Sequence, residues 1–227
     1  MSVQRQVSKP IELVIFDCDG VLVDTERLAV RIDIDVAREL GWELTESEVV
    51  DLFMGKSTAS VREILDARLG PAKAELWQQR YQERFAAGLE DLEPVEGVVA
   101  ALDAVAAAGL PTCVASSGGH DKMRRTLGRT GLYDRFAGRI FSATEVAHGK
   151  PAPDLFLHAA ERMGYDPAVC AVVEDSQYGV QAARAAGMRV LGFAGGLSPA
   201  DWLAGPDTVL FHHMDELPGV LRDAAGQ

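Results

Sequence analysis

The chain has 227 residues, 48% of them apolar and 25% charged, and a formal net charge of -12. That length exceeds one small domain and falls short of two full ones, and the composition supports a packed core rather than disorder. The acidic balance argues against nucleic acid or an anionic membrane as partner, because both would be repelled.

Three cysteines, Cys18, Cys113 and Cys170, lie in or beside apolar runs. Their odd number, wide spacing and lack of a CxxC pair argue against a disulfide scaffold and against a zinc site. Residues 1–9 read as a loose tail without the apolar stretch of a signal peptide. No apolar run reaches the roughly 18 residues of a membrane span. The expectation is a monomer in the cytoplasm, with buried free thiols.

Residues 11–16 (IELVIF) predict a short buried strand. Residues 26–40 suit a helix ended by Gly41, and a polar region with helical spacing follows at about 46–54, 58–69 and 72–87. Pro94 and Gly97 mark a boundary. Beyond it the pattern alternates. Helix 98–108 leads to strand 110–117, helix 120–130 to strand 139–143, helix 153–164 to strand 168–176, and helix 177–187, with Ser176 placed as its cap, to strand 188–193. A further strand at 207–213 and a helix at 214–224 close the chain.

Strands alternating with helices of this length predict an α/β fold with a parallel sheet covered on both faces. Right-handed crossovers then bring every strand's C-terminal end to one edge, where such sheets form their binding sites. The helical stretch interrupts the alternation and reads as an inserted module above that edge. The expected division is a core of 1–24 and 94–227 with a helical insert of 25–93.

Four segments converge on the edge. Asp17 and Asp19 follow the first strand, Ser116, Ser117 and Gly118 the second, and Glu174 and Asp175 the fourth, while Lys150 opens the helix before that fourth strand. Clustered carboxylates repel unless a divalent cation holds them, and all-oxygen donors suit Mg²⁺. A serine-glycine turn entering a helix offers N–H groups to an anion, and a lysine adds positive charge. The set asks for a phosphate. In Asp-x-Asp, Asp17 is placed to attack phosphorus and Asp19 to protonate the leaving oxygen and then deprotonate water. Each piece has a plainer reading alone: an Asp-rich turn, acids favouring a helix start, an N-cap serine, a surface lysine. Their combination is what points to phosphate chemistry. Gly55-Lys56-Ser57 looks like the tail of a P-loop, but Val50 stands where the first glycine is required and no strand precedes it, so that reading is rejected.

The segments FDCDGVLVDTE (16–26), VASSG (114–118), GKPAPD (149–154) and VVEDSQYGVQAARAAG (172–187) resemble the haloacid dehalogenase superfamily, and within it the β-phosphoglucomutase-like phosphatases. The resemblance spans about residues 11–195. It implies a Rossmann-like core of strand order 5-4-1-2-3 with a mobile helical cap over the substrate. It also implies Asp17 as nucleophile and metal ligand, and Asp19 as general acid/base lending its carbonyl to the metal. Ser116 would hold a phosphate oxygen beside Ser117 and Gly118, Lys150 would stabilise the aspartyl-phosphate, and Glu174 and Asp175 would complete a Mg²⁺ site. Gly55 and Lys56 are candidates for the substrate-facing loop of the cap.

The activity expected is Mg²⁺-dependent hydrolysis of a small phosphorylated metabolite, a sugar phosphate or sugar-acid phosphate. The alternative is a sugar phosphomutase. Mutases of this group carry a cap histidine and a cap arginine; Ala29 and Ser57-Thr58-Ala59 stand in those places here, with Lys56 and Arg62 nearby as substitutes. Asp19 disfavours dehalogenation, because that branch lacks the second aspartate. A receiver-like signalling domain, a remote third reading, needs neither Asp19 nor the helical insert.

Overall fold

The computed structural model describes residues 10–54, 56 and 58–224, with Thr58 described by its backbone alone. The expected tail at 1–9 and the expected substrate-loop residue Gly55 lie outside the described residues. In chain order the elements are β1 (Leu13–Phe16), α1 (Thr25–Glu39), α2 (Glu46–Phe53), α3 (Thr58–Leu69), α4 (Pro71–Gly88), α5 (Val98–Ala107), β2 (Thr112–Ser116), α6 (His120–Arg129), β3 (Ile140–Ser142), α7 (Asp154–Met163), β4 (Cys170–Glu174), α8 (Gln177–Ala185), β5 (Arg189–Phe193), α9 (Ala200–Leu203), β6 (Thr208–Phe211) and α10 (Leu217–Ala224).

The strands form one parallel sheet in the order β3-β2-β1-β4-β5-β6. This is the α/β class and the strand order expected from the resemblance, extended by β6 at the β5 edge. Because side chains alternate across a strand, Val14 and Phe16 enter one buried cluster with Val114, Val173 and Leu191. Leu13 and Ile15 enter the other, with Cys113, Cys170 and Val172. Helices α5, α6 and α10 cover the first face, and α7 and α8 the second. Burial on both faces explains why β1 and β4 read as continuous apolar runs.

Between β1 and β2 the chain is helical, as the sequence predicts. Asp24 caps α1, and Thr45 with Glu48 forms a capping box at α2. The helices close around Trp42, Phe53 and Trp77, whose ring centroids lie 5.7 to 6.1 Å apart. The chain enters and leaves this region side by side: the Asp24 N–H donates to the Glu93 carbonyl at 3.2 Å and the Val95 N–H to the Leu22 carbonyl at 3.1 Å.

Several strands are a residue or two shorter at their ends than expected, and two boundaries differ for a visible reason. Strand β4 starts at Cys170, because Pro167 opens a short 3-10 turn that Asp166 caps, and proline has no N–H to give to a ladder. The last helix is split into a 3-10 turn at Met214–Glu216 and α10, with Pro218 in the first turn of α10. Among the described residues no helix is long and apolar enough to cross a membrane.

Gly128 lies inside α6 with nothing within 4 Å of the position a Cβ would take. Gly128→Ala should therefore raise unfolding stability by about 0.5–1 kcal/mol through helix propensity alone. Urea titration measures it, and an unchanged or lower midpoint would contradict the packing described for α6.

Candidate active site

Strands β1 and β4 are neighbours in register, Phe16 against Val173, so Asp17 and Glu174 emerge side by side. The Asp17 N–H still donates to the Val173 carbonyl at 3.0 Å, which extends the ladder one residue past β1. Lys150 reaches this point from the turn before α7, four residues ahead of Asp154 rather than at the helix opening itself. Its Nζ donates to Asp17 Oδ1 at 2.6 Å, to Glu174 Oε1 at 2.7 Å and to the Ala115 carbonyl at 3.3 Å. Its side chain is 6% exposed and lies over the Phe156 ring. Burial opposes the charge on Lys150, but Asp17 and Glu174 outweigh it and hold the ammonium above the ordinary lysine range.

Glu174 is fully engaged. Its second oxygen accepts from the Ser176 N–H at 2.7 Å and the Ser176 hydroxyl at 2.9 Å, and Ser176 in turn caps α8. The carboxyl of Asp175 has no such donors. Both its oxygens, and Oε2 of Glu26 at the start of α1, are buried without one. The Asp175 and Glu26 carboxyls face each other closely enough to share a proton. Carboxylate oxygens of Asp17, Glu174 and Asp175 lie within 4.8 Å of one another. Burial pushes the Asp17 carboxyl up to about 7, against the pull of Lys150 and with the push of Glu174 and Asp19. Burial also raises Glu26 to about 7 and Asp175 well above the carboxylate range. The cluster thus gathers more negative charge than its own ammonium neutralises, and its hard oxygen donors fit a divalent cation.

Glycines make the room. Gly20 has φ +78°, and a Cβ there would come within 2.0 Å of Asp175 Oδ2. Gly179 on the first turn of α8 would place one 1.7 Å from Glu174 Oε1.

Beside the carboxyls lies the turn at the end of β2. Ser116 is buried, and its hydroxyl accepts from the Gly118 N–H at 3.1 Å. The Ser142 hydroxyl holds the Gly118 carbonyl at 2.8 Å. A Cβ at Gly118 would sit 3.4 Å from Ser116 Oγ and 3.8 Å from Asp19 Oδ2, so these two groups face one small space above that glycine. Ser117 is exposed in the same turn. Asp19 accepts from the Thr25 hydroxyl at 2.6 Å and from Lys122 Nζ at 2.8 Å.

The structure therefore brings Asp17, Asp19, Ser116, Lys150, Glu174 and Asp175 to one edge. Lys56 is not in that cluster: its ammonium donates to the Asp51 carbonyl at 3.1 Å, and it borders a cavity inside the helical region that Glu26 also lines. Thr25, Glu26 and Lys122 carry no assigned role in the sequence reading. The available signal was position: Thr25 and Glu26 open the helix after the Asp-x-Asp turn, and Lys122 lies in the first turn after Gly119.

The sequence profile of the haloacid dehalogenase-like hydrolases matches residues 11–187. The chain belongs to the haloacid dehalogenase-like hydrolase family. Its relatives in that family include the 6-phosphogluconate phosphatase of Escherichia coli K12, 33% identical over 92% of this chain and 93% of that protein. They also include hexitol phosphatase B of the same strain, 31% identical over 83% of this chain and 84% of that protein. A haloacid dehalogenase-family hydrolase from Deinococcus radiodurans, solved with bound phosphate and sodium, superposes with a TM-score of 0.84 at 29% identity, covering 95% of this chain and 96% of that one. The family resemblance drawn from the four segments holds.

In this hydrolase the space at Gly179 is what lets Glu174 face Lys150. Gly179→Ala should force that carboxyl aside and lower stability by about 1–3 kcal/mol, unlike the helical glycine at 128. Denaturant unfolding of the purified variant checks it, and wild-type stability would show that Glu174 is not confined by α8.

Proposed function

We propose that this hydrolase is a Mg²⁺-dependent phosphatase acting on a small phosphorylated metabolite of the sugar-phosphate or sugar-acid-phosphate class, through an aspartyl-phosphate formed on Asp17. The observation that carries the reading is the buried Asp17 carboxyl held by Lys150 beside Glu174 and Asp175. The names of the two Escherichia coli relatives support the substrate class.

In this reading Asp17 attacks phosphorus and the P–O bond to the leaving group breaks. Asp19 gives that oxygen its proton, then takes one from the water that hydrolyses the acyl phosphate. Ser116 donates its hydroxyl to a phosphoryl oxygen, with Ser117 and Gly118 lining the turn and Lys150 offsetting developing charge. The carboxylates of Asp17, Glu174 and Asp175 and the carbonyl of Asp19 would hold Mg²⁺, which supplies positive charge to the phosphoryl oxygens. Residues 25–93 serve as a cap on a core of 1–24 and 94–227, with the paired crossings at Asp24–Glu93 and Leu22–Val95 as the joint. Lys56, which borders the cavity that Glu26 also lines, belongs to its substrate-facing side.

Water, rather than a second sugar hydroxyl, is the acceptor. Ala29 offers no imidazole, and Arg62 is occupied by Asp66, Glu75 and Gln78, each at 2.9 Å. Neither supports a grip on a second phosphate.

Asp17→Asn should reduce phosphate release from a panel of sugar phosphates by roughly a thousandfold or more while leaving the melting curve cooperative. Chelation should abolish wild-type release, and added Mg²⁺ should restore it. Unchanged turnover in the variant would remove the mechanism. Conversion of glucose 1-phosphate in the presence of glucose 1,6-bisphosphate would transfer the assignment to a mutase.

A further inference from the structure

Helices α1, α2, α3 and α4 border a cavity of about 460 Å³, within the range of small-molecule sites. Its lining is mostly apolar, with the Phe53 and Trp77 rings, and Asp33, Gln78 and Gln82 bring polar groups to the same space. Such a pairing suits a polyhydroxy chain, whose C–H faces lie on rings while its hydroxyls bond to carboxyl and amide groups. Glu26 lines the cavity and faces Asp175, and the Tyr81 phenol in its wall is within electrostatic reach of both Asp33 and Asp19.

Its charges are unequal. Asp33 and Glu26 stand against Lys56, whose exposed ammonium is bonded to the Asp51 carbonyl. Asp33 is pushed up to about 7 by burial, partly offset by the Trp77 side chain. A ligand carboxylate beside it would meet repulsion or require a proton.

We propose that Asp33 is a specificity-determining residue: it makes this cavity a subsite for an uncharged, hydroxyl-rich leaving group and disfavours one bearing a carboxylate. The assignment rests on the phosphatase reading for the location of the phosphoryl group, and it narrows the substrate class to polyol or neutral sugar phosphates.

The test separates binding from turnover. Sorbitol 6-phosphate and 6-phosphogluconate differ at the terminal carbon, CH₂OH against COO⁻. Each is titrated calorimetrically into the Asp17→Asn protein with Mg²⁺, with and without Asp33→Asn, and inorganic phosphate serves as the anchor control. The hexitol phosphate should bind at least about tenfold more tightly than the sugar acid. Asp33→Asn should shrink that ratio about tenfold and leave phosphate binding unchanged. Equal or tighter binding of the sugar acid, or a ratio that Asp33→Asn does not move, overturns the assignment, whereas failure of the hydrolase reading shows separately as absent phosphate release by wild type. Folding supplies a second check. A carboxyl raised from 3.8 to about 7 in the folded state loses stability as pH rises through that window, so Asp33→Asn should melt above wild type at pH 8 and level with it near pH 3.5. A variant that melts below wild type at pH 8 would show that the carboxylate serves the fold, and would also overturn the assignment.

Discussion

The Lys150 ammonium, buried between Asp17 and Glu174, is the contact on which the rest of the site depends. Removing one partner of such a group leaves an uncompensated buried charge, which costs far more than the pair contributes. The contact exists only because three separate parts of the fold agree. Parallel pairing of β1 with β4 sets the two carboxyls side by side, the turn before α7 delivers the lysine, and the Ala115 carbonyl on β2 accepts its third hydrogen bond.

Electrostatic imbalance follows from the same geometry. Lys150 satisfies Asp17 and half of Glu174, and Ser176 satisfies the other half, so the Asp175 and Glu26 carboxyls are left facing each other. A core selected for stability alone would not gather these groups. Gly20 and Gly179 show that the backbone has been shaped around the carboxyls, since a side chain at either position would occupy their space. Burial that raises the pKa values of Asp17, Glu26 and Asp175 together, in one cluster at a strand edge, marks a candidate functional site. The Ser116 turn and Lys122 lie beside Asp19 at the same edge.

Much of this was legible in the residues. The runs LVIF and CAVVE are apolar because both faces of the sheet are covered, and the acids stand out because they end those runs. Glycines after helices marked most element ends. The start of β4 was misplaced by residues 168 and 169, which are apolar but follow a proline turn. Lys122, Thr25, Glu26 and Asp33 were not legible as site residues. Each occupies a helix whose surface carries many charged and polar groups; Thr25 and Lys122 are picked out only by their bonds to Asp19, and Glu26 and Asp33 only by the cavity that the helices form.

The proposed divalent cation would complete the carboxylate cluster of Asp17, Glu174 and Asp175. Melting temperatures of wild type and Asp175→Asn, each with and without Mg²⁺, test it directly. Without metal the variant should melt no lower, because the amide can donate to Glu26 in place of the proton that the Asp175–Glu26 pair shares, while Mg²⁺ should raise the wild type and leave the variant little changed. A variant that melts lower without metal, together with a wild type that ignores Mg²⁺, would contradict the account.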